Sequence, residues 1–169
     1  MTNIDFARIV AQHYEPLYRF AFILTRDQTE SCDLTQQTFG LWATKGPQLR
    51  DMSKVKTWLF QILHREFLGS QPPPTRFPPI EPDETAPELP VILPEPINCL
   101  DPPQVLAALA QLDPIFHAPV ALFYLQDYSH LEIAEILEVP LGTIKSRLAR
   151  GIGQLQQLMF SDLGLKQST

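Results

Sequence analysis

Residues 129–151 read SHLEIAEILEVPLGTIKSRLARG, and this stretch decides the fold. Ile133, Ile136 and Leu137 recur at three- and four-residue spacing and give a first helix one apolar face. Ser129, with Glu132 three residues later, is the sequence signature of a capping box and marks where that helix starts. Ala134 is small where a second helix crosses closely. That second helix opens near Leu141-Gly142-Thr143 and is predicted to run to about Met159. Ile144 and Leu148, four apart, face back onto the first helix. Thr143, Lys145, Ser146, Arg147 and Arg150 are left mainly for the other faces. The pattern is a helix-turn-helix. Thr143 and the N–H groups at the second helix's start can meet a phosphate through the helix dipole. The basic side chains can reach phosphates or guanine edges in a major groove. An amphipathic helical pair with merely solvated charges carries the same apolar spacing. Glu138 departs from the pattern, because many such motifs place Gly in the turn, where the backbone is left-handed.

Upstream of the motif, Asp113-Pro114 precedes a helix spanning Ile115 to Leu125, which must accommodate Pro119. Pro102-Pro103 precedes a short helix through Val105, Leu106 and Leu109. Before that, proline draws a boundary: 12 of the 17 prolines lie between Pro72 and Pro103. Each fixes φ and lacks a backbone donor, so the segment is neither helical nor central in a sheet. Residues 70–100 therefore read as an extended, acidic, Pro-rich linker, able to reach roughly 95 Å at about 3.1 Å per residue. An inert tether has the same composition. Val91, Ile92 and Leu93 give part of it the means to dock on a surface.

The N-terminal block also reads as helices. Ile4, Ile9, Val10, Leu17, Tyr18, Ala21 and Leu24 share helical spacing. Asp27 or Thr29 can cap a second helix running towards Trp42 and ended by Gly46-Pro47. Ser53 can cap a third through Val55, Trp58, Leu59, Ile62, Leu63 and Phe67, stopped by Gly69. No segment shows sustained strand alternation. The expected fold is all-α, with two small helical domains at residues 1–69 and 101–169 joined by the linker at 70–100.

Charge qualifies the DNA reading. The net charge is −6, which argues against a nucleic-acid binder if taken alone. Residues 1–69 carry eight Lys/Arg against seven Asp/Glu, residues 70–100 one against five, and residues 101–169 four against seven. Lys145, Arg147 and Arg150 nevertheless cluster on one helix, and a local basic face can hold phosphate within an acidic protein. No apolar run approaches a membrane span, and the start has no signal-peptide core, so no membrane insertion and a cytoplasmic location are expected. Cys32 and Cys99 lie far apart, and His13, His64, His117 and His130 are scattered, so neither a disulfide nor a metal site is expected. No cofactor is expected. With no glycine-rich phosphate loop, nucleophile elbow or HExxH pair, an enzyme is not expected either.

Residues 112–151, LDPIFHAPVALFYLQDYSHLEIAEILEVPLGTIKSRLARG, resemble region 4 of the extracytoplasmic-function (ECF) sigma factors, compact members of the sigma-70 family, with PLGTIKSRL as the specific core. The N-terminal block resembles region 2. YEPLYRFAFILTRD (14–27) matches its first helix, CDLTQQTFGLWA (32–43) its polymerase-binding helix, and KTWLFQILHREFL (56–68) the helix near the promoter −10 element. The resemblance covers about residues 5–69 and 101–160 in the family's order.

The resemblance implies a non-enzymatic subunit that carries core RNA polymerase to promoter DNA. Asp33 and Gln36 fall at positions that bind the β′ clamp. His64 and Arg65 lie where the unwound −10 strand is contacted, with Lys54 and Lys56 upstream as phosphate contacts. Thr143, Lys145, Ser146, Arg147 and Arg150 would read the −35 element. Leu112, Phe116, Leu122 and Phe123 would meet the β flap or form core. An anti-sigma factor is an implied partner. The sequence departs from the family in having only Arg76 soon after the third helix, Gln37 in place of a common acidic residue, and His117 where Arg is frequent. A simple helix-turn-helix regulator, or a sigma-like interaction protein without initiation activity, stays open as an alternative.

Overall fold

The structure is a computed structural model and describes residues 3–71 and 102–162. Most of the expected linker, together with Cys99, lies outside the described residues. Seven α-helices are described: α1 (Asn3–Thr25), α2 (Gln28–Lys45), α3 (Val55–Ser70), α4 (Pro102–Ala110), α5 (Pro114–Gln126), α6 (His130–Leu137) and α7 (Leu141–Asp162). No strand occurs among the described residues, as the spacing of apolar positions requires.

Local signals set most helix ends. The Asp27 side chain accepts from the Glu30 N–H and starts α2. The capping box at α6 forms in both directions. Ser129 Oγ accepts from the Glu132 N–H at 3.2 Å, and the Glu132 carboxylate accepts from the Ser129 N–H at 2.8 Å. Ser53 does not cap α3 as its residue type suggests. Asp51 accepts from both the Ser53 N–H and its hydroxyl, at 3.0 and 2.6 Å, and opens a 3-10 turn over Met52–Lys54 that leads into α3. The Ser53 hydroxyl thus donates to a carboxylate two residues earlier instead of accepting from an N–H of the first turn of α3. Pro119 lies inside α5 without ending it, and its ring is buried.

The N-terminal core joins Leu17, Phe20 and Ile23 of α1 to Trp42 of α2 and Leu59, Phe60 and Leu63 of α3, all essentially inaccessible. The C-terminal core joins Leu109, Leu112, Leu122, Ile133, Ile136, Ile144 and Leu155. These are not separate cores: the buried side chains form one cluster that runs through both blocks. Helix α1 packs against α4 and α5, and α3 packs against α6. Phe60 is the apolar bridge. Its ring meets Phe20 at 5.3 Å within the N-terminal block and Tyr128 edge-on at 5.9 Å across the seam.

Gly151 lets α7 approach α5. A Cβ there would fall 2.6 Å from Val120 Cγ2 and 3.0 Å from Phe116 Cβ. Val is stiff about its first torsion and cannot swing away freely. Gly151→Ala is therefore expected to destabilise the fold by about 1–3 kcal/mol despite its better helix propensity. Urea unfolding would check it, and an unchanged midpoint would show that α5 and α7 can separate without loss.

Candidate nucleic-acid interface

The turn between α6 and α7 holds Glu138 at φ 57°, ψ 42°, a left-handed conformation. For an L-residue with a side chain this costs roughly 1–2 kcal/mol. The Val139 N–H closes the turn on the Ala134 carbonyl at 3.2 Å. The next helix, α7, packs against α4, α5 and α6. That is more cover than a single partner helix provides, and it changes which residues are free. Thr143 and Ser146, expected on the outer faces, are 4 % and 2 % exposed. Arg150 is exposed, while Lys145 and Arg147 are half-buried. The Nε of Arg147 and the Oγ of Ser146 are enclosed without a protein hydrogen-bond partner.

The −10 candidates are divided in the same way. Lys54 is exposed. Lys56 places its Nζ 5.1 Å from the centre of the Tyr128 ring, a cation–π contact across the seam. His64 is half-buried and faces the charge of Arg147. Arg65 reaches Glu138 with two guanidinium nitrogens, Nε donating to Oε2 at 3.0 Å and Nη2 donating to Oε1. Hydrogen bonding to Arg65 holds the Glu138 carboxyl below its usual range, and the same bond raises Arg65. Gln61 Nε2 donates to the Glu135 carbonyl at 3.3 Å. Phe60, Gln61, His64 and Arg65 thus recur along one face of α3, and that face looks at α6 with its preceding turn and at Arg147 of α7.

A second polar anchor closes the far end of the seam. Arg26 ends α1 in a left-handed conformation, φ 57°. Its Nη2 donates to the Leu112 carbonyl at 3.0 Å and to His117 Nε2 at 3.1 Å. A guanidinium has no acceptor, so His117 Nε2 must accept, and the ring must be neutral with its proton on Nδ1. Burial first, and Arg26 second, push His117 down to about 4. Burial and Arg147 push His64 down to about 4, with Glu138 opposing. Between the anchors lies a cavity of about 470 Å³, lined by Leu24, Phe67, Ile115 and Leu137, with His64 and Arg147 on its polar side.

On the opposite side of the N-terminal block, Asp33 and Gln36 are both exposed on α2, while Leu34, Thr35 and Thr38 are buried behind them. Gln37 donates to the Glu66 carboxylate of α3 at 2.6 Å. Leu112, Phe116 and Leu122 belong to the core, and Phe123 is half-buried against Tyr124 and His130. Arg26, Gln61 and Tyr128, which build the seam, were not legible as site residues. Their only sequence signal is polarity at the end or flank of an apolar stripe. Among the described residues no helix is long and apolar enough to cross a membrane.

The geometry defines a two-block helical protein with a helix-turn-helix and a cationic helix set against it. The family described as Sigma-70, region 4, matches residues 103–155. The ECF RNA polymerase sigma factor SigL of Mycobacterium tuberculosis is 30% identical over 164 residues, covering 91% of this chain and 88% of that protein. The ECF RNA polymerase sigma factor SigE of Mycolicibacterium smegmatis is 31% identical over 155 residues, covering 89% of this chain; the chain spans only 60% of that relative. Among solved structures, the sigma factor RpoE in complex with the anti-sigma factor NepR from Bartonella quintana superposes with a TM-score of 0.68 at 26% identity. It covers 94% of this chain and 98% of that one. The chain belongs to the ECF RNA polymerase sigma factors of the sigma-70 family.

The two histidines give the packed form a pH dependence. Both ordinarily titrate at 6.5 and are pushed to about 4 in the packed chain. Between those values the unfolded chain binds more protons, so stability rises with pH there. It is fully present above 6.5 and lost as pH falls towards 4. Each ring is expected to contribute roughly 2–3 kcal/mol to that loss. Thermal unfolding should drop on acidification, and His64→Gln with His117→Gln should flatten the slope. An unchanged slope would show that neither ring is held neutral.

Proposed function

We propose that this chain is a dissociable, non-enzymatic initiation subunit that brings core RNA polymerase to promoter DNA in the cytoplasm. One unit, residues 1–69, uses Asp33 and Gln36 on α2 to bind the β′ clamp. The same unit uses Lys54, Lys56, His64 and Arg65 to hold the opened −10 strand, where charge tracks the backbone and unstacked bases need a pocket. A second unit, residues 101–169, docks on the β flap and reads the −35 element with Lys145, Arg147 and Arg150, Thr143 and Ser146 being buried beneath them. The segment 70–100 joins them. An anti-sigma factor is a further partner, as RpoE has in its complex with NepR.

The observation that carries this reading is that identity runs through both blocks in one order, across 91% of the chain. A stand-alone DNA-binding regulator needs α6 and α7 alone, and would leave α1 to α3 without a purpose.

Size-exclusion chromatography with bacterial core RNA polymerase tests the reading. A one-to-one complex is expected. A folded protein that fails to co-elute would favour the stand-alone regulator. Replacing Asp33 and Gln36 together by Ala should weaken the polymerase complex and leave the thermal midpoint unchanged. Arg150→Ala should weaken −35 binding by about 1–3 kcal/mol if Arg150 meets a base edge. Equal binding by the variant would remove Arg150 from the reading face.

A further inference from the structure

We propose that Arg65 and Glu138, with Gln61 beside them, form an intramolecular latch that holds the chain closed upon its own DNA-binding residues. The functional meaning of the latch rests on the reading above; its existence does not. Three of the four −10 candidates lie in the seam: Lys56 over Tyr128, His64 beside Arg147, and Arg65 on Glu138. From the −35 set, Arg147 is drawn into the same seam. A chain in this state cannot offer Arg65 to a single strand or Arg147 to a major groove.

The latch residues are well matched to that task. Glu138 occupies the left-handed position of the helix-turn-helix, where Gly would be free of strain. A carboxylate there is fixed by the turn and aimed at α3. Arg65, 73 residues away in sequence, answers it with two nitrogens of one guanidinium, a fork geometry that a lysine could not reproduce. Gln61, one turn earlier on α3, donates to the same carboxylate at 3.5 Å and to the Glu135 carbonyl.

The closure is balanced rather than locked. The pair is half exposed, 49% on each side chain, so water and salt weaken it. Closing also encloses Arg147 Nε without a protein partner, which opposes it. Asp33 and Gln36 are exposed in the closed chain, on α2, which packs against α1 and α3. Polymerase can therefore dock on the closed chain, and opening follows docking.

The test reads the distance between the blocks in the full chain. Spin labels are placed at Met52→Cys and Leu131→Cys, both exposed and on opposite sides of the seam, with Cys32→Ser and Cys99→Ser. Double electron–electron resonance then gives the closed and open populations. Arg65→Gln and Glu138→Gln should each raise the open-to-closed ratio by about 2- to 5-fold. The charge swap, Arg65→Glu with Glu138→Arg, should return the ratio to that of the parent chain. Singles that leave the ratio unchanged, or a swap that opens the chain as far as either single, would overturn the latch. Core polymerase is absent from this experiment. Failure of the latch is thus distinct from failure of the sigma reading, which co-elution alone decides.

Discussion

Helix α3 is held between two apolar surfaces, and Phe60 is the side chain that touches both. Its ring is fully buried, packed on Phe20 to one side and Tyr128 to the other. It adds to the packing of α1 on α4 and α5, so that both α1 and α3 join the common core. Burial of one such side chain is worth about 1.5–3 kcal/mol, whereas an exposed ion pair is worth roughly 0–1 kcal/mol. Adhesion of the two blocks is therefore an apolar matter. The polar contacts around Phe60 add a smaller weight to closure and direct it. Arg26 on His117 and the Leu112 carbonyl, and Arg65 on Glu138, fix the register in which the apolar surfaces meet.

That division of labour explains the two neutral imidazoles. His117 accepts from a guanidinium, and His64 faces another. A protonated ring at either place would set two cations together in a half-dry seam, which desolvation and repulsion both oppose. His117, where the resemblance leads one to expect Arg, is accounted for by Arg26. The cation is supplied from α1, and the C-terminal block provides an acceptor instead. The exchange ties the two blocks together, because a second Arg at 117 could not accept from Arg26.

Much of the fold was legible because its signals are local. The capping box at Ser129, the stripe Ile133, Ile136 and Leu137, and the pair Ile144 and Leu148 each specify a helix by spacing alone, and the structure has those helices. The fold class follows from them. Ser53 does not cap α3 because its hydroxyl donates to Asp51, whose carboxylate caps the 3-10 turn leading into the helix. The seam was not legible, since its contacts join residues about seventy or more positions apart. Phe60 lies on the flank of the stripe formed by Val55, Leu59, Ile62 and Leu63. A large aromatic on that flank is a sign of a second neighbour, but nothing in the sequence names the neighbour as Tyr128. Thr143 and Ser146 were placed on open faces by a pattern that counted one partner helix for α7. Three pack against it.

Glu138 shows why the seam and the DNA-facing surface belong to one design. In the turn of a DNA-reading motif, a left-handed glutamate is unfavourable twice. It strains the backbone, and it sets a negative charge near phosphates. Both penalties vanish with Gly. Both acquire a return only when the chain is closed, because the strained backbone then aims the carboxylate at Arg65 and the negative charge then has a cation to meet. The same carboxylate that repels DNA in the open form attracts α3 in the closed one. One residue therefore weights the equilibrium from both ends, and the surface it leaves untouched, Asp33 and Gln36 on α2, is the one through which polymerase can first take hold.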